Sequence, residues 1–145
     1  MNDLEKARPS IDEFRHAMAE AISSGDQVQI TGDTTHYVVP GALYGRRTSV
    51  PAGATIISAV HRVPHITVAL KGIATVVDEN GEKKDIFAPQ VFITQAGAHR
   101  AIYAHTDVEW LTVHACEETE LPKIEKQLYA DSMAEYNQLQ IGADL

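Results

Sequence analysis

The chain has 145 residues, of which 44% are hydrophobic and 22% charged, a composition typical of a globular protein with one hydrophobic core. Its formal net charge of -8 argues against a general binder of nucleic acid, which needs a basic surface. No apolar run approaches membrane-spanning length, the N-terminus lacks a signal-peptide pattern, and the lone Cys116 suits a reducing compartment, so we expect a cytoplasmic protein.

Helical patterns lie at both ends of the chain. Residues 1–9 are polar, and we expect them to be flexible. Ser10 and Glu13 then form a capping-box pattern in front of a helix predicted over 11–23. A C-terminal helix is predicted over 120–138, where apolar residues again recur at helical spacing.

The middle of the chain, residues 27–115, has the pattern of an all-β core. Short runs rich in β-branched residues are separated by turn residues, of which Asn80-Gly81 is the strongest hairpin signal. The predicted strands are 27–31, 35–39, 43–50, 54–61, 65–71, 73–78, 84–87, 91–95, 100–105 and 108–115. Many short strands at regular spacing are typical of a jelly roll, here a single domain over residues 10–145.

His61 and His65 stand where two apolar runs meet, between Gly53 and Gly72. A helix with both His on one face is excluded, because Pro64 would lie in its interior. A single strand would hold the two His about 13 Å apart. A tight reversal between them instead makes them cross-strand neighbours, with Cβ atoms about 5 Å apart, close enough to share a ligand or a metal.

The spacing of this stretch resembles the first motif of the cupins, G-x5-H-x-H-x3-E-x6-G. Gly53 and Gly72 fill the glycine positions, His61 the second His and His65 the Glu, whereas Ala59 stands at the first His. The resemblance implies an all-β, cupin-type double-stranded β-helix (jelly roll) with flanking N- and C-terminal α-helices. It also implies a divalent transition metal, for which Zn, Fe, Mn and Ni all stay open.

The second cupin motif, G-x5-P-x-G-x2-H-x3-N, is matched in part. Gly97 fits, His99 comes one position early, and Arg100 occupies the His position. The pattern from about residue 40 to 125 also resembles small cupin-like proteins of tailed bacteriophages, which would place the chain in a host cytoplasm. That resemblance favours His61, His65 and His114 as a set.

The third metal ligand is left open by these patterns. Two imidazoles are too few for a metal site, and His114, His99 and His105 all compete to complete it. The alternative for His61 and His65 is a pair of polar residues hydrogen-bonded within a pocket.

Arginines and aromatic residues near the same stretches are candidate ligand-binding groups. Arg62, Arg100 and Arg46 can recognise a carboxylate or phosphate through paired hydrogen bonds, the alternative being solvated surface arginines. Tyr44, Tyr103 and Trp110 can stack on a ring or fill the core. No catalytic residue is identified.

Strand alternation assigns residues to two faces. The face of the two His is small and polar, which leaves space for a cavity, and includes Thr55, Ile57, Ala59, Thr67 and Ala69. In the last strand, Trp110 and His114 lie on this cavity side. The opposite face is too apolar for water, so we expect helices or a second copy of the chain to cover it, and a homodimer. That face carries Ile56, Val60, Ile66, Val68 and Leu70.

Three functions fit these patterns. The first is a metal-dependent enzyme of oxygenase, isomerase or lyase type acting on a small, anionic substrate. The second is a module that binds or sequesters a small molecule or nucleotide signal without turnover. The third is a structural or interaction protein with a vestigial pocket, because fold does not dictate function.

Overall fold

A computed structural model describes residues 10–25 and 33–143 of the chain. Residues 1–9 and the predicted strand 27–31 lie outside these described ranges. The helices are α1 (Ile11–Ser24), α2 (Leu121–Leu128) and α3 (Met133–Ala143). The strands are β1 (Asp33–Val39), β2 (Leu43–Val50), β3 (Thr55–Ile57), β4 (Val60–His61), β5 (His65–Lys71), β6 (Ile73–Val77), β7 (Lys83–Phe87), β8 (Gln90–Thr94), β9 (Ala101–Ala104), β10 (Val108–Ala115) and β11 (Tyr129–Ala130).

Two antiparallel sheets face each other and form the body of the molecule. The larger sheet has the order β1-β2-β10-β5-β8, and the smaller has the order β3-β9-β6-β7. A short third ladder joins β4 to β11. Strands distant in sequence lie side by side, which is the pattern of a jelly roll, so the predicted all-β class with flanking helices is confirmed.

The helix α1 begins at the predicted capping box. The Ser10 hydroxyl accepts a hydrogen bond from the Glu13 backbone N–H, and the Glu13 carboxylate accepts one from the Ser10 N–H. The helix is capped by Gly25, which has a left-handed φ of 86° and whose backbone N–H donates to the carbonyls of Ala21 and Ile22. No helix among the described residues is long and apolar enough to cross a membrane.

The predicted strand 54–61 is interrupted at Ser58 and Ala59. The Ser58 hydroxyl accepts a hydrogen bond from the Arg100 N–H, and the chain changes sheets between β3 and β4. Thr55 and Ile57, predicted to face the cavity, line it, but the predicted outward position of Ile56 is wrong. Ile56, opposite the buried Ile102, is the residue that packs inward against the core.

The predicted helix 120–138 is also divided. It ends at Leu128, and Tyr129 and Ala130 pair as strand β11 with His61 and Val60. Helical periodicity alone does not predict this break, because the backbone of Tyr129 pairs with His61, about 70 residues away in sequence.

Two apolar clusters occupy opposite ends of the interior. The upper cluster is made by the two main sheets and includes Val50, Ala74, Ile102 and Val108. The lower cluster consists of Tyr44, Cys116, Ile124 and Leu128, so α2 closes that end of the barrel. Burial of such side chains is the main stabilising contribution to the fold. The candidate site lies between the two clusters.

Candidate functional site

Three imidazoles meet inside the barrel. The ring centroids of His61 and His65 are 4.3 Å apart, and those of His65 and His114 are 4.0 Å apart. His61 and His114 are separated by 5.9 Å between centroids. One nitrogen from each ring lies within 4.8 Å of the other two. Of the His, Cys, Asp and Glu side chains in the described residues, these three form the one group placed to hold a metal ion.

The reversal at residues 62–64 brings His61 and His65 together, but not as a hairpin. The strand β4 pairs with β11, and His61 also exchanges backbone hydrogen bonds with Gly97 and Ala98. The strand β5 pairs with β10 and β8. The prediction of cross-strand neighbours is therefore wrong, although the predicted meeting of the two side chains occurs. The two rings approach each other from different ladders.

A backbone carbonyl fixes the proton on His65. Its Nδ1 lies 3.1 Å from the carbonyl oxygen of Val63, which can only accept a hydrogen bond. The proton is therefore on Nδ1, and Nε2 carries the lone pair that a metal needs. This Nε2 is buried and has no hydrogen-bond partner among the described residues.

The other two imidazoles are also poorly satisfied. His61 Nδ1 and both ring nitrogens of His114 are buried without a hydrogen-bond partner in the described structure. Burial, together with the nearby His65 and His114, lowers the pKa of His61 to about 3. Burial, together with His65, lowers the pKa of His114 to about 3. Burial also lowers the pKa of His65. All three rings are therefore neutral at pH 7, the form that binds metals.

The donor set fits a divalent transition metal. Buried polar atoms without partners are rare in native proteins, because each costs about 1–3 kcal/mol. A metal bound by three His nitrogens at about 2.0–2.1 Å would satisfy one unpartnered nitrogen of each ring and leave the second nitrogen of His114. In such a site the ligand nitrogens lie roughly 3–3.5 Å apart, so metal binding would draw the three rings closer than the present limit of 4.8 Å.

A cavity of about 890 Å³ opens beside the imidazoles. His61 and His65 line it, together with Arg46 and Arg100. The Nε atoms of both arginines are buried and have no hydrogen-bond partner in the described structure. Among the described residues that line the cavity there is no Asp or Glu. The interior is thus cationic although the whole chain is acidic.

The predicted ligand-binding residues divide into two groups. Arg46, Arg100 and Trp110 line the cavity. Tyr44 is fully buried behind His114, with ring centroids 6.4 Å apart, and its hydroxyl is 2.6 Å from His36 Nδ1. Burial raises the pKa of Tyr44 to about 12.

The structure places Arg62 and Tyr103 away from the cavity. The Arg62 guanidinium donates to the carbonyl of Lys126, and its backbone N–H donates to the carbonyl of Leu128, so Arg62 fastens α2 to the turn. Tyr103 is on the outer surface of β9, where its ring contacts His105.

His99, the competing third ligand, belongs to a different cluster. Its Nε2 lies 2.9 Å from Arg15 Nη2, and its Nδ1 lies 3.8 Å from an Asp12 carboxylate oxygen. Arg15 also donates to the carbonyls of Ser58 and Asp131. Burial and the Arg15 charge lower the pKa of His99. The cluster attaches α1 to the barrel, and His99 does not join the three imidazoles.

Tyr129 is a site residue that the sequence does not single out. Its ring lies edge-on to His61 and His114, at centroid distances of 5.4 Å and 5.8 Å. The Arg46 guanidinium carbon is 5.5 Å from the centre of the same ring. Burial raises the pKa of Tyr129. No local pattern marks it, because only the β4–β11 ladder brings it to the site.

Comparisons with known proteins support the fold. The sequence matches no protein-family model and none of the curated proteins. Among solved structures, it is similar to a cupin superfamily protein from Desulfitobacterium hafniense, with 13% identity and a TM-score of 0.51 over 61% of this chain and 81% of that chain. A cupin domain from Bordetella pertussis gives 9% identity and a TM-score of 0.52 over 62% and 98% of the two chains.

Salicylate 1,2-dioxygenase from Pseudoaminobacter salicylatoxidans, solved with gentisate, is a third neighbour. It shows 17% identity and a TM-score of 0.54 over 79% of this chain. The match spans 33% of the dioxygenase, so this chain corresponds to about a third of that enzyme. At such low identities the comparisons establish the cupin-type jelly roll, and function must be argued from the site.

Proposed function

We propose that this cupin-fold chain binds one divalent transition metal through His61, His65 and His114, beside a cavity that receives a small anionic ligand. The observation that carries the proposal is the convergence of three neutral imidazoles, two buried and one half-buried, each with a buried nitrogen that lacks a partner in the described protein. An all-imidazole set suits Zn, Fe, Mn or Ni, and it does not choose among them. Arg46 and Arg100 supply the positive charge that selects an anion.

The first functional form of this proposal is a metal-dependent enzyme of oxygenase, isomerase or lyase type. A metal bound there would supply Lewis-acid or oxygen-binding chemistry. The chain itself would orient the ligand through Arg46 and Arg100, and its apolar walls would exclude water from the reacting atoms. Tyr129, whose ring lies next to those of His61 and His114, would be the proton donor.

The second form is a binding module without turnover. It is favoured by the composition of the cavity wall, which in the described residues combines two arginines with hydroxyl groups and no carboxylate. Such a lining holds an anion well, and if the metal occupies the imidazoles no carboxylate remains to pair with Tyr129 in acid–base chemistry. Multiple-turnover conversion of any bound anion by the metal-loaded protein would contradict this second form.

Elemental analysis of protein purified without a His tag tests the metal proposal. We expect about one transition-metal ion per chain after dialysis, whereas His114→Ala and His61→Ala, left with two imidazoles, should lose the ion on dialysis and hold it only while metal is supplied in solution. His99→Ala is the matched control, since His99 is equally buried but lies outside the imidazole group, and we expect it to retain the metal. A metal-free protein after supplementation with each of the four metals would overturn the proposal.

We also propose that the chain forms a homodimer through the outer face of the larger sheet. Tyr37, Val113, Ile66 and Ile93 form one apolar row across that face, with Gly45 between the first two. Ile66 is 48% exposed and Ile93 is 67% exposed. None of the described parts of the helices covers these positions, so the apolar row is available to a second copy.

A further inference from the structure

The cavity is polar at one end and apolar at the other, and the strand register shows this gradient. The strands β2 and β10 run side by side in the larger sheet. Their inward residues pair in the order Tyr44–His114, Arg46–Thr112, Thr48–Trp110 and Val50–Val108. Along this ladder, ionisable groups give way to hydroxyls, then to an indole, and finally to two valines.

The neighbouring strand β5 repeats the gradient. Thr67 lies opposite Thr112, and Ala69 lies opposite Trp110. Two positions before Thr67, His65 reaches the imidazole group. Residues on one face of a strand are about 6.6 Å apart, so the path from Arg46 to Val50 is roughly 13 Å long. Three adjacent strands therefore define an axis with a cationic end and a hydrocarbon end.

The apolar end is built from the hydrophobic core itself. Val50, Ile102 and Val108 belong to the upper apolar cluster, and they also line the cavity. Helix α1 adds an apolar stripe with helical spacing: Phe14, Ala17, Met18, Ala21 and Ile22. The apolar face of α1 is thus turned toward the cavity, where an apolar ligand would complete its burial.

The cationic end lacks a counterion within the described protein. Arg46 and Arg100 both line the cavity and both keep a buried Nε without a hydrogen-bond partner. Arg47, the next residue, differs in this respect, because its guanidinium lies 2.9 Å from the Glu109 carboxylate. A guanidinium whose Nε is buried is satisfied by an anion that accepts two parallel hydrogen bonds, as a carboxylate does.

We infer that the natural ligand of the cavity is an amphiphilic monocarboxylate. Its carboxylate lies at Arg46 and Arg100, next to the imidazoles, and its alkyl or aryl-alkyl body runs past Trp110 toward Val50 and Val108. This inference deepens the proposed function by naming the class of ligand, and it rests on that proposal only in using the same cavity. Binding of the carboxylate does not require the metal.

Calorimetric titration of the full chain with decanoate tests the inference, with the metal removed by a chelator and with it present. We expect decanoate to bind at least 100-fold more tightly than acetate, because only its chain reaches the apolar end. We expect decanol and decylamine to bind at least tenfold more weakly than decanoate. Equal affinities for acetate and decanoate, or tighter binding of decyl phosphate than of decanoate, would overturn the inference.

Matched variants locate the two ends of the ligand. Arg46→Gln and Arg100→Gln should each weaken decanoate at least tenfold and leave decanol unchanged, whereas Arg47→Gln should leave both unchanged. Met18→Glu on the cavity face of α1 should abolish decanoate binding, whereas Ala19→Glu on its exposed face should not. Unfolding midpoints of all variants show whether each remains folded, and folded Arg variants with unchanged decanoate affinity would contradict the inference.

The outcomes separate this inference from the metal proposal. Tight decanoate binding by a protein that never takes up metal would refute the metal proposal and leave the inference standing. Stoichiometric metal in a protein that binds no decanoate would refute the inference about the ligand and leave the metal proposal standing.

Discussion

The imidazoles at the centre of the barrel have buried ring nitrogens that lack hydrogen-bond partners in the described structure. His114 is fully buried, and both of its ring nitrogens lack partners in the described structure. His65 is the one ring of the three with a fixed proton, held on Nδ1 by the Val63 carbonyl. This carbonyl acts as an orienting partner of the kind that tunes metal-ligating His residues.

The lowered pKa values of His61 and His114 make the stability of the metal-free protein depend on pH. Both pKa values are about 3 in the folded chain, against about 6.5 when the chain is unfolded. Between these values the unfolded state binds protons that the folded state does not, so stability is greatest above pH 6.5 and falls as the pH is lowered toward 3. At pH 5 each imidazole should cost up to about 2 kcal/mol relative to pH 7.

Denaturant titrations of the chelator-treated protein at pH 7 and pH 5 measure this effect. We expect a smaller difference between the two pH values in His114→Phe, because one titrating group is absent. His16→Phe, which alters an exposed residue, is the control and should keep the full difference. An unfolding free energy that is the same at pH 5 and pH 7 would show that the imidazoles are not buried in the neutral form.

The sequence predicted that the His61 and His65 side chains meet but left the third ligand open. Alternation along the last strand placed His114 and Trp110 on the cavity side; Trp110 lines the cavity, and His114 lies behind its wall with His61 and His65. Spacing could not separate His114 from His99, because the choice depends on where the loop at residues 97–100 lies in space. Arg15, on α1, holds His99 in a separate cluster.

Among the secondary-structure elements, the strands were predicted most closely. The bounds of β2, β5 and β10 agree with the predicted strands 43–50, 65–71 and 108–115, because alternating apolar residues and flanking turns define a strand locally. The β3–β4 break and the strand β11 were missed for one reason: each depends on a partner distant in sequence.

The Gly72 turn between β5 and β6 links the two main sheets and tolerates no side chain. Its φ is +90°, and a Cβ there would lie 2.1 Å from the backbone oxygen of Asp107. Gly41 has a similar φ of +75°, but a Cβ would meet nothing within 4 Å. We therefore expect Gly41→Ala to cost about 1–2 kcal/mol from the left-handed backbone alone. Gly72→Ala should cost at least about 2 kcal/mol more, because packed backbone must also move.

Equilibrium unfolding of both Gly variants in one denaturant series tests this expectation. Equal losses of stability in Gly72→Ala and Gly41→Ala would mean that the contact with Asp107 does not constrain the turn. The glycine that closes the cupin-like spacing would then serve only as a residue with left-handed backbone.

Among the described residues, the larger sheet presents an apolar surface to solvent on its side away from the cavity. We expect the chain to sediment as a dimer, since a stable interface needs about 800 Å² per partner and five strands provide a surface of that order. Ile93→Lys should shift the protein to monomer. Phe87→Lys is the control, because Phe87 is 60% exposed on the smaller sheet and lies outside the proposed interface.

Sedimentation velocity distinguishes the possible results. A wild-type monomer at micromolar concentration would refute the proposed interface. A dimer that is disrupted by Phe87→Lys and not by Ile93→Lys would move the interface to the other sheet.

The fold could be predicted from the sequence because many weak, local patterns indicated the same architecture. Short strands, turn residues and the Gly53–Gly72 spacing all indicated a cupin-type jelly roll, and the similarity to solved cupin structures supports it. The lining of the cavity could be predicted less well, since tertiary packing brings Tyr129 and the apolar stripe of α1 to the cavity. The polar-to-apolar axis becomes visible only when β2, β5 and β10 are set in register.

X-ray absorption spectroscopy of the metal-loaded protein tests directly whether the three imidazoles bind a single metal ion. We predict three imidazole nitrogens at about 2.0–2.1 Å from a bound zinc ion, and two in His114→Ala. A first shell without imidazole, or one that is unchanged in His114→Ala, would contradict the account.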